Sequence, residues 1–128
     1  MSERRVSPAL FPPPAYAHVA VATGKLVVTA GAVPLDLDGR LVGDGDARAQ
    51  ARQVIENLLV QLREGGAEPE QVVKTTVYVL AAEPAPLADV WEVVRDSALA
   101  GAPSTLLGVA ALGYAGQLVE IEAIAAVG

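Results

Sequence analysis

Apolar and polar positions in the first half of the chain follow two periods, one typical of strands and one typical of a helix. Residues 18–31 contain two β-branched runs around Gly24, a pattern that predicts a β-hairpin. Residues 47–62 carry apolar side chains at helical spacing along one stripe, with charged side chains off the stripe. Asp46 can accept hydrogen bonds from the first free amides of this helix, and a glycine pair beginning at Gly65 ends it.

The second half of the chain alternates strand and helix patterns in the same way. Residues 72–80 are rich in β-branched side chains and predict a strand, and residues 84–99 begin with proline and predict a second helix. Residues 104–112 and 117–127 predict the last two strands, joined by a glycine-rich turn. The predicted order is ββαβαββ, an α+β fold in which a mixed sheet and two helices form a single domain over residues 1–128.

Composition narrows the classes of function. The chain has no cysteine and one histidine, which leaves a zinc site too few of its usual ligands, so we expect no metal and no cofactor. Its net charge of −6 opposes binding to a phosphate backbone, so no nucleic acid partner is expected. No stretch approaches the roughly 18 apolar residues of a membrane helix. Because prolines also break the N-terminal segment 1–16, which therefore lacks a signal peptide, we expect a cytoplasmic protein without a membrane partner.

Apolar residues occupy both faces of the predicted strands. Between residues 105 and 111, for example, apolar side chains alternate to the two sides of the sheet. Two helices can cover only one of these faces, and a monomer would leave a large apolar surface in water. We therefore expect a homo-oligomer. The alternative is that loops of the same chain cover the second face.

Two carboxylates interrupt the last apolar strand. Glu120 and Glu122 are two residues apart and share one face of the strand with Leu118 and Ile124. A carboxylate among apolar neighbours can hold or activate water, which makes a catalytic role possible. The plainer interpretation, which the residues alone favour, is that both acids are solvated or pair with arginine across an interface.

Six short stretches, taken in their order and spacing, are similar to those of a known protein family. They are TAGAVPL (29–35), AQARQVIENL (49–58), VVKTTVYV (72–79), DVWEVV (89–94), GVAAL (108–112) and VEIEAIA (119–125). In this arrangement the chain resembles the reactive-intermediate deaminase (Rid) family, also called YjgF-like and historically described as endoribonuclease L-PSP or translation initiation inhibitor. The resemblance implies a chorismate-mutase-like subunit and a homotrimer with a barrel-like core and ligand sites in clefts between subunits. Active members hydrolyse enamines and imines to 2-oxo acids and ammonia without a cofactor.

The resemblance also implies which residues form the site. The family glutamate that places water near the imine carbon falls on Glu120, and the family tyrosine near the N-terminus falls on Tyr16. The backbone turn after the second strand falls on Ala30 and Gly31, with alanine in place of the usual serine. These residues are the candidates for catalysis and substrate binding on one wall of the cleft.

The opposite wall departs from the family pattern. The arginine that grips the substrate carboxylate is replaced by Ser104, which is followed by Thr105 and then by Leu106 in the position of a cysteine or threonine. A serine hydroxyl cannot neutralise a carboxylate as a guanidinium does, so we expect little deaminase activity on small imino acids. The hydroxyls of Ser104 and Thr105 can bind a neutral ligand, and Leu106 and Tyr114 would make the cleft more apolar. Alternatively, Ser104 only caps its own backbone.

Three functions are compatible with these features. The first is a cofactor-free imine or enamine hydrolase in which Glu120 directs water. The second is a trimer that holds a small metabolite between its subunits without turnover. The third is the ribonuclease or translation-inhibitor role of the older family description, against which the acidic charge counts.

Overall fold

The chain folds into strands and two α-helices in the order βββαβαββ. This holds for residues 2–128, which are those that the computed structural model describes. Met1, the first residue of the predicted proline-rich segment, lies outside the described residues. The elements are β1 (Ser2–Arg5), β2 (Val19–Ala22), β3 (Lys25–Val28), α1 (Ala47–Glu64), β4 (Val72–Leu80), α2 (Pro84–Arg95), β5 (Ser104–Val109) and β6 (Val119–Val127), with a short 3-10 helix over Pro69–Gln71.

The main sheet has four strands in the order β3-β6-β4-β5. β6 runs antiparallel to both β3 and β4, whereas β4 and β5 are parallel. The parallel pair requires a crossover connection, which α2 provides. The predicted α+β fold with a mixed sheet and two helices is therefore confirmed, and β1 is an additional strand ahead of the predicted order.

Both helices pack against the same face of the main sheet. Alternate residues of β4 and β6 face the helices and are buried, while the residues between them face away. The buried core is aliphatic throughout. It includes Val54, Leu58 and Leu62 of α1, Val90 and Val94 of α2, and Val77, Val79, Val119, Ile121, Ala123 and Ala125 of the sheet.

The sheet face away from the helices, which we call the open face, carries exposed apolar side chains. In a single chain Leu26 and Val28 of β3 are each 68% exposed, and Ile124 of β6 is 36% exposed. Loops of the same chain leave these three side chains accessible to water. The open face is therefore apolar at one edge, as the two-sided pattern of the strands predicts.

The predicted hairpin over residues 18–31 was wrong in its pairing. β2 pairs with β1, from Ser2 opposite Ala22 to Arg5 opposite Val19, whereas β3 pairs with β6. β1 is anchored by Arg4, whose guanidinium donates to the carbonyls of Pro69 and Val72 at 3.0 Å. Because alternation identifies a strand but not its partner, the pattern of residues 18–31 alone could not distinguish the two pairings.

The proline-rich segment between β1 and β2 is tied to the body of the protein. The indole Nε1 of Trp91 donates to the carbonyl of Pro14 at 2.9 Å, and the amide of Gly101 donates to Ala15 at 2.8 Å. His18 accepts a hydrogen bond from the Ser7 amide at Nδ1, 3.0 Å away. These bonds hold the segment against α2 and the start of β5.

Neither α-helix in the described part of the chain is long and apolar enough to cross a membrane.

Candidate functional site

The carboxylate of Glu120 lies on the open face of the main sheet. Its cross-strand neighbour on β4 is Tyr78. The side-chain amide of Gln117 donates to Oε1 of Glu120 at 3.0 Å. On the other side, Gly31 approaches so closely that an added methyl group would overlap the Glu120 carboxylate. The carboxylate is thus held between an amide donor and a glycine.

The backbone around Ala30 and Gly31 is shaped by two hydrogen bonds to β6. The amide of Thr29 donates to Ala123 at 3.0 Å, and the amide of Ala32 donates to Ile121 at 2.7 Å. Ala30 and Gly31 lie between these anchors, and Gly31 is beside Glu120. The structure also explains the glycine, because any side chain at position 31 would displace the carboxylate.

Gln117 is a site residue that the sequence reasoning missed. Its side chain is only 2% exposed, and its Nε2 donates both to Glu120 and to the carbonyl of Val119. Its Oε1 accepts the amide hydrogen of Tyr114 at 3.1 Å, so Gln117 connects the turn before β6 to the carboxylate. A polar amide at the start of an apolar strand was the available signal, because a buried amide needs hydrogen-bonding partners.

Glu122 has a different environment from Glu120, although both point to the open face. It lies opposite Thr76 and interacts with the hydroxyl of Tyr78. Burial raises the pKa of Tyr78, and the hydrogen bond and charge of Glu122, together with the charge of Glu120, raise it further. Glu122 is therefore engaged with a phenol, and Glu120 is the acid beside the glycine turn.

Tyr16, Ser104 and Leu106 line a second region on the helix side of the sheet. Together with Pro14 and Trp91 they enclose a cavity of about 250 Å³. The rings of Tyr16 and Trp91 meet edge to face, with centroids 6.1 Å apart. We call this cavity the aromatic pocket. Trp91 lies within the predicted second helix, and its contribution to a pocket was not predicted from the sequence.

Ser104 is bonded to a neighbouring strand. Its Oγ lies 2.8 Å from Oγ1 of Thr75, the residue opposite it on β4, with Thr75 as the donor. The alternative in which Ser104 only caps its own backbone is therefore replaced by a contact between side chains. With Thr75 as donor, the Ser104 hydroxyl keeps its own proton for an acceptor in the pocket.

A single chain does not bring Ser104 and Glu120 together. Ser104 pairs with Thr75 and Glu120 pairs with Tyr78, and these two β4 residues are an odd number of positions apart. Since successive strand residues point to opposite faces, Ser104 faces the helices while Glu120 faces away. The candidate residues form two half-sites on opposite sides of one sheet.

The two remaining candidates lie outside the aromatic pocket. Thr105 is on the open face, where its Oγ1 accepts a hydrogen bond from Nζ of Lys74 at 2.7 Å. The ring of Tyr114 is in the turn between β5 and β6 and is 53% exposed. Among the described residues, neither of them lines the aromatic pocket of its own chain.

No arginine lines the aromatic pocket in the part of the chain that the structure describes. A terminal nitrogen of Arg4 donates hydrogen bonds to the backbone carbonyls of Pro69 and Val72, and burial lowers the pKa of the guanidinium. Arg48 on α1 binds Asp89 and Glu92 at 3.0 and 2.9 Å. Residues 2–128 also contain no group of three acidic or histidine side chains placed to hold a metal ion.

Comparison with known proteins gives consistent matches. The family model described as endoribonuclease L-PSP matches residues 7–127. A Rid family protein of unknown function from Yersinia pestis, YyfB, has a similar structure, with a TM-score of 0.88, 32% sequence identity and 98% of each chain covered. The structure of Escherichia coli TdcF with bound serine is 26% identical, with a TM-score of 0.69, and the match covers 97% of this chain and 94% of that one.

A curated relative matches over a shorter segment. The 2-iminobutanoate/2-iminopropanoate deaminase of Salmonella typhimurium is 39% identical over 56 residues, which is 44% of this chain and 43% of that protein. The match spans about half the length of the curated relatives.

Proposed function

The chain belongs to the endoribonuclease L-PSP family, which is also the Rid or YjgF-like family, and on that premise we propose that it hydrolyses small imines or enamines. The observation that carries the proposal is the Glu120 carboxylate, held on the open face between Gln117 and Gly31. The name of the Salmonella relative, an imine deaminase, supports the same class of reaction. No cofactor enters the proposed reaction.

Glu120 acts as the base that directs water in this proposal. Its Oε1 is turned toward Gln117, and the remaining lone pairs of the carboxylate are available to a water molecule. Water adds to the carbon of the C=N bond while the carboxylate accepts a proton from it. That proton passes to nitrogen, which gives a carbinolamine. The carboxylate then takes the proton of the new hydroxyl group and returns it to nitrogen, the C–N bond breaks, and a carbonyl compound and ammonia leave.

A complete site requires a second copy of the chain. The aromatic pocket and Glu120 face opposite sides of one sheet, so substrate held in the pocket cannot reach the carboxylate of the same chain. We propose a homotrimer in which the pocket of one subunit meets Glu120 of the next. The exposed apolar side chains of Leu26, Val28 and Ile124 support such an assembly, because water-exposed apolar patches usually mark interfaces.

Ser104 in place of the family arginine limits the substrates. The carboxylate of a bound imino acid would be buried without a cationic partner, which is strongly unfavourable. We therefore expect the protein to accelerate the hydrolysis of imines of small amino acids little or not at all. The absence of this arginine also favours a second candidate function, that of a cytoplasmic trimer that binds a small metabolite without turnover. An RNA-cleaving or translation-inhibiting role, which the family description suggests, is less compatible with the net charge of −6.

Glu120→Gln tests the hydrolase proposal. Imines are generated from amines and amino acids by flavin-dependent oxidases, and carbonyl release is followed with and without the protein. We expect the wild type to accelerate hydrolysis of at least one imine. Glu120→Gln should lower this rate by about 10²- to 10⁴-fold, the usual contribution of a positioned general base.

Glu122→Gln is the matched control, because Glu122 lies on the same strand and the same face but contacts Tyr78. It should retain most of the activity. An equal loss of activity in both variants would mean that the negative charge of the open face as a whole, and not the Glu120 carboxylate in particular, is responsible. No acceleration of any imine by the wild type would remove the hydrolase and leave the binding trimer.

A further inference from the structure

We propose that the aromatic pocket binds an uncharged ligand group, a flat apolar ring or unsaturated chain that carries one hydrogen-bond acceptor. This inference rests on the proposed function, because it names the substrate class of the same site. Three features of the pocket carry it: its aromatic walls, the hydroxyl of Ser104 and, among the described residues, a lining without a positively charged side chain.

The walls of the pocket are suited to a flat apolar group. Tyr16 and Trp91 stand at 78° to each other, so their ring faces form a corner that Leu106 and Pro14 extend. The indole nitrogen of Trp91 is already bonded to the carbonyl of Pro14, so the indole offers the ligand apolar surface only. A ring placed in this corner would pack edge to face against one wall and stack on the other, which are the preferred aromatic geometries.

The polar end of the ligand is recognised by Ser104. Thr75 donates to the Ser104 oxygen from the side of β4, which leaves the Ser104 hydroxyl able to donate to another acceptor. A hydroxyl donor suits a neutral acceptor, such as an amide or carbonyl oxygen or an imine nitrogen. It offers a single hydrogen bond and no compensating charge.

His18 lies behind Tyr16 and is not among the residues that line the pocket. His18 lies edge to face with Tyr16, with ring centroids 6.3 Å apart. The Ser7 amide donates to its Nδ1, and Nε2 lies 3.1 Å from the carbonyl oxygen of Phe11, so both ring nitrogens are occupied by backbone groups. Among the described residues, an anionic ligand would therefore find no positive partner on the lining of the pocket, which is strongly unfavourable.

Fluorescence of Trp91 tests the inference directly, because Trp91 is the only tryptophan of the chain and it lines the pocket. The protein is titrated with phenylacetamide and with phenylacetate, which share the ring and differ in charge. We expect phenylacetamide to change the emission and to bind at least about tenfold more tightly than phenylacetate, a ratio that corresponds to about 1.4 kcal/mol.

Two arginine variants locate the effect. Ser104→Arg restores a guanidinium at the pocket and should reverse the preference toward phenylacetate. Ala85→Arg adds the same charge on the exposed first turn of α2, outside the pocket lining, and should leave the preference unchanged. If Ser104→Arg fails to fold, the comparison of the two ligands on the wild type still decides the inference.

The outcomes separate this inference from the hydrolase proposal. Equal affinity for the two ligands, tighter binding of phenylacetate, or no change in Trp91 emission with either one would overturn the inference, whatever the activity. Preferential binding of phenylacetamide without hydrolysis of any imine would support the pocket and refute only the hydrolase. Imines made from phenethylamine and from phenylalanine extend the test, since only the second carries a carboxylate. Faster hydrolysis of the first supports the inference, and equal rates contradict it.

Discussion

Glu120 and Glu122 lie two positions apart on one strand, and their neighbours give them different roles. Glu120 is flanked by the amide of Gln117 and by Gly31, whereas Glu122 is engaged with Tyr78. A strand pattern can say that both acids share a face but cannot say what stands opposite each of them. At the scale of single residues, contacts across the sheet give the two acids different environments.

Tyr78 provides a pH-dependent test of these contacts. Burial above all, and then Glu122, raise the pKa of Tyr78 in the folded chain, so folding favours its protonated form. This contribution to stability is complete below the unfolded pKa of about 10 and is lost as the pH rises through the folded value. We expect the free energy of unfolding of the wild type to fall more steeply than that of Tyr78→Phe above about pH 10, as measured by urea denaturation.

Tyr114→Phe is the control for this measurement, because Tyr114 is an exposed tyrosine in a turn. Its pH dependence should follow that of the wild type. If Tyr78→Phe also followed the wild type over the same pH range, neither burial nor the neighbouring acids would make the stability depend on the ionisation of Tyr78.

Helix α1 shows how local signals define an element. Asp46 accepts the amide of Ala49 at 3.0 Å, the expected N-cap bond, and Gly66 adopts a φ of +83° just after the helix. Both ends match the sequence prediction. The helix is also tied to the turn before β6 by buried Gln50, whose Oε1 accepts the amide of Leu118 at 2.7 Å. The element that carries the core thereby helps to position the strand of Glu120.

Removal of the cap gives a prediction at this scale. Asp46→Ala should lower the free energy of unfolding by about 1 kcal/mol, because the Ala49 amide loses its partner. Asp46→Asn should retain most of the stability, and Asp44→Ala, two residues earlier in the loop, should have little effect. Urea denaturation of the three variants measures the differences. An unchanged stability of Asp46→Ala would show that water replaces the cap without cost.

At the scale of the whole molecule, the open face of the sheet makes assembly testable. Val28 and Val60 are exposed to a similar extent, 68% and 62%, but Val28 lies on the open face and Val60 on helix α1. Light scattering should give the wild type about three times the subunit mass of 13.1 kDa. Val28→Asp should dissociate the assembly, because it places a charge in the proposed interface, whereas Val60→Asp should remain associated. A wild-type monomer would refute the interface.

The parts of the fold that depend on neighbouring residues could be predicted from the sequence, and the parts that depend on distant ones could not. The cap at Asp46 and the strand β4 follow from patterns a few residues long. β1, the partner of β2, is anchored by Arg4, whose guanidinium bonds carbonyls 65 and 68 residues away along the chain. Trp91 is likewise held at the pocket by a hydrogen bond to Pro14, which is 77 residues away along the chain.

The sequence by itself determined the α+β class, the two helices, the apolar strands and the candidate acid of β6, because periodicity and capping act over short distances. The resemblance to a family supplied the candidate residues Tyr16, Ser104 and Glu120, and their roles remain proposals. Only the tertiary structure decided that Ser104 and Glu120 face opposite sides of one sheet and that Gln117 holds the carboxylate. The physical reason is that the direction of a side chain depends on strand register, and register is set by pairing between distant segments.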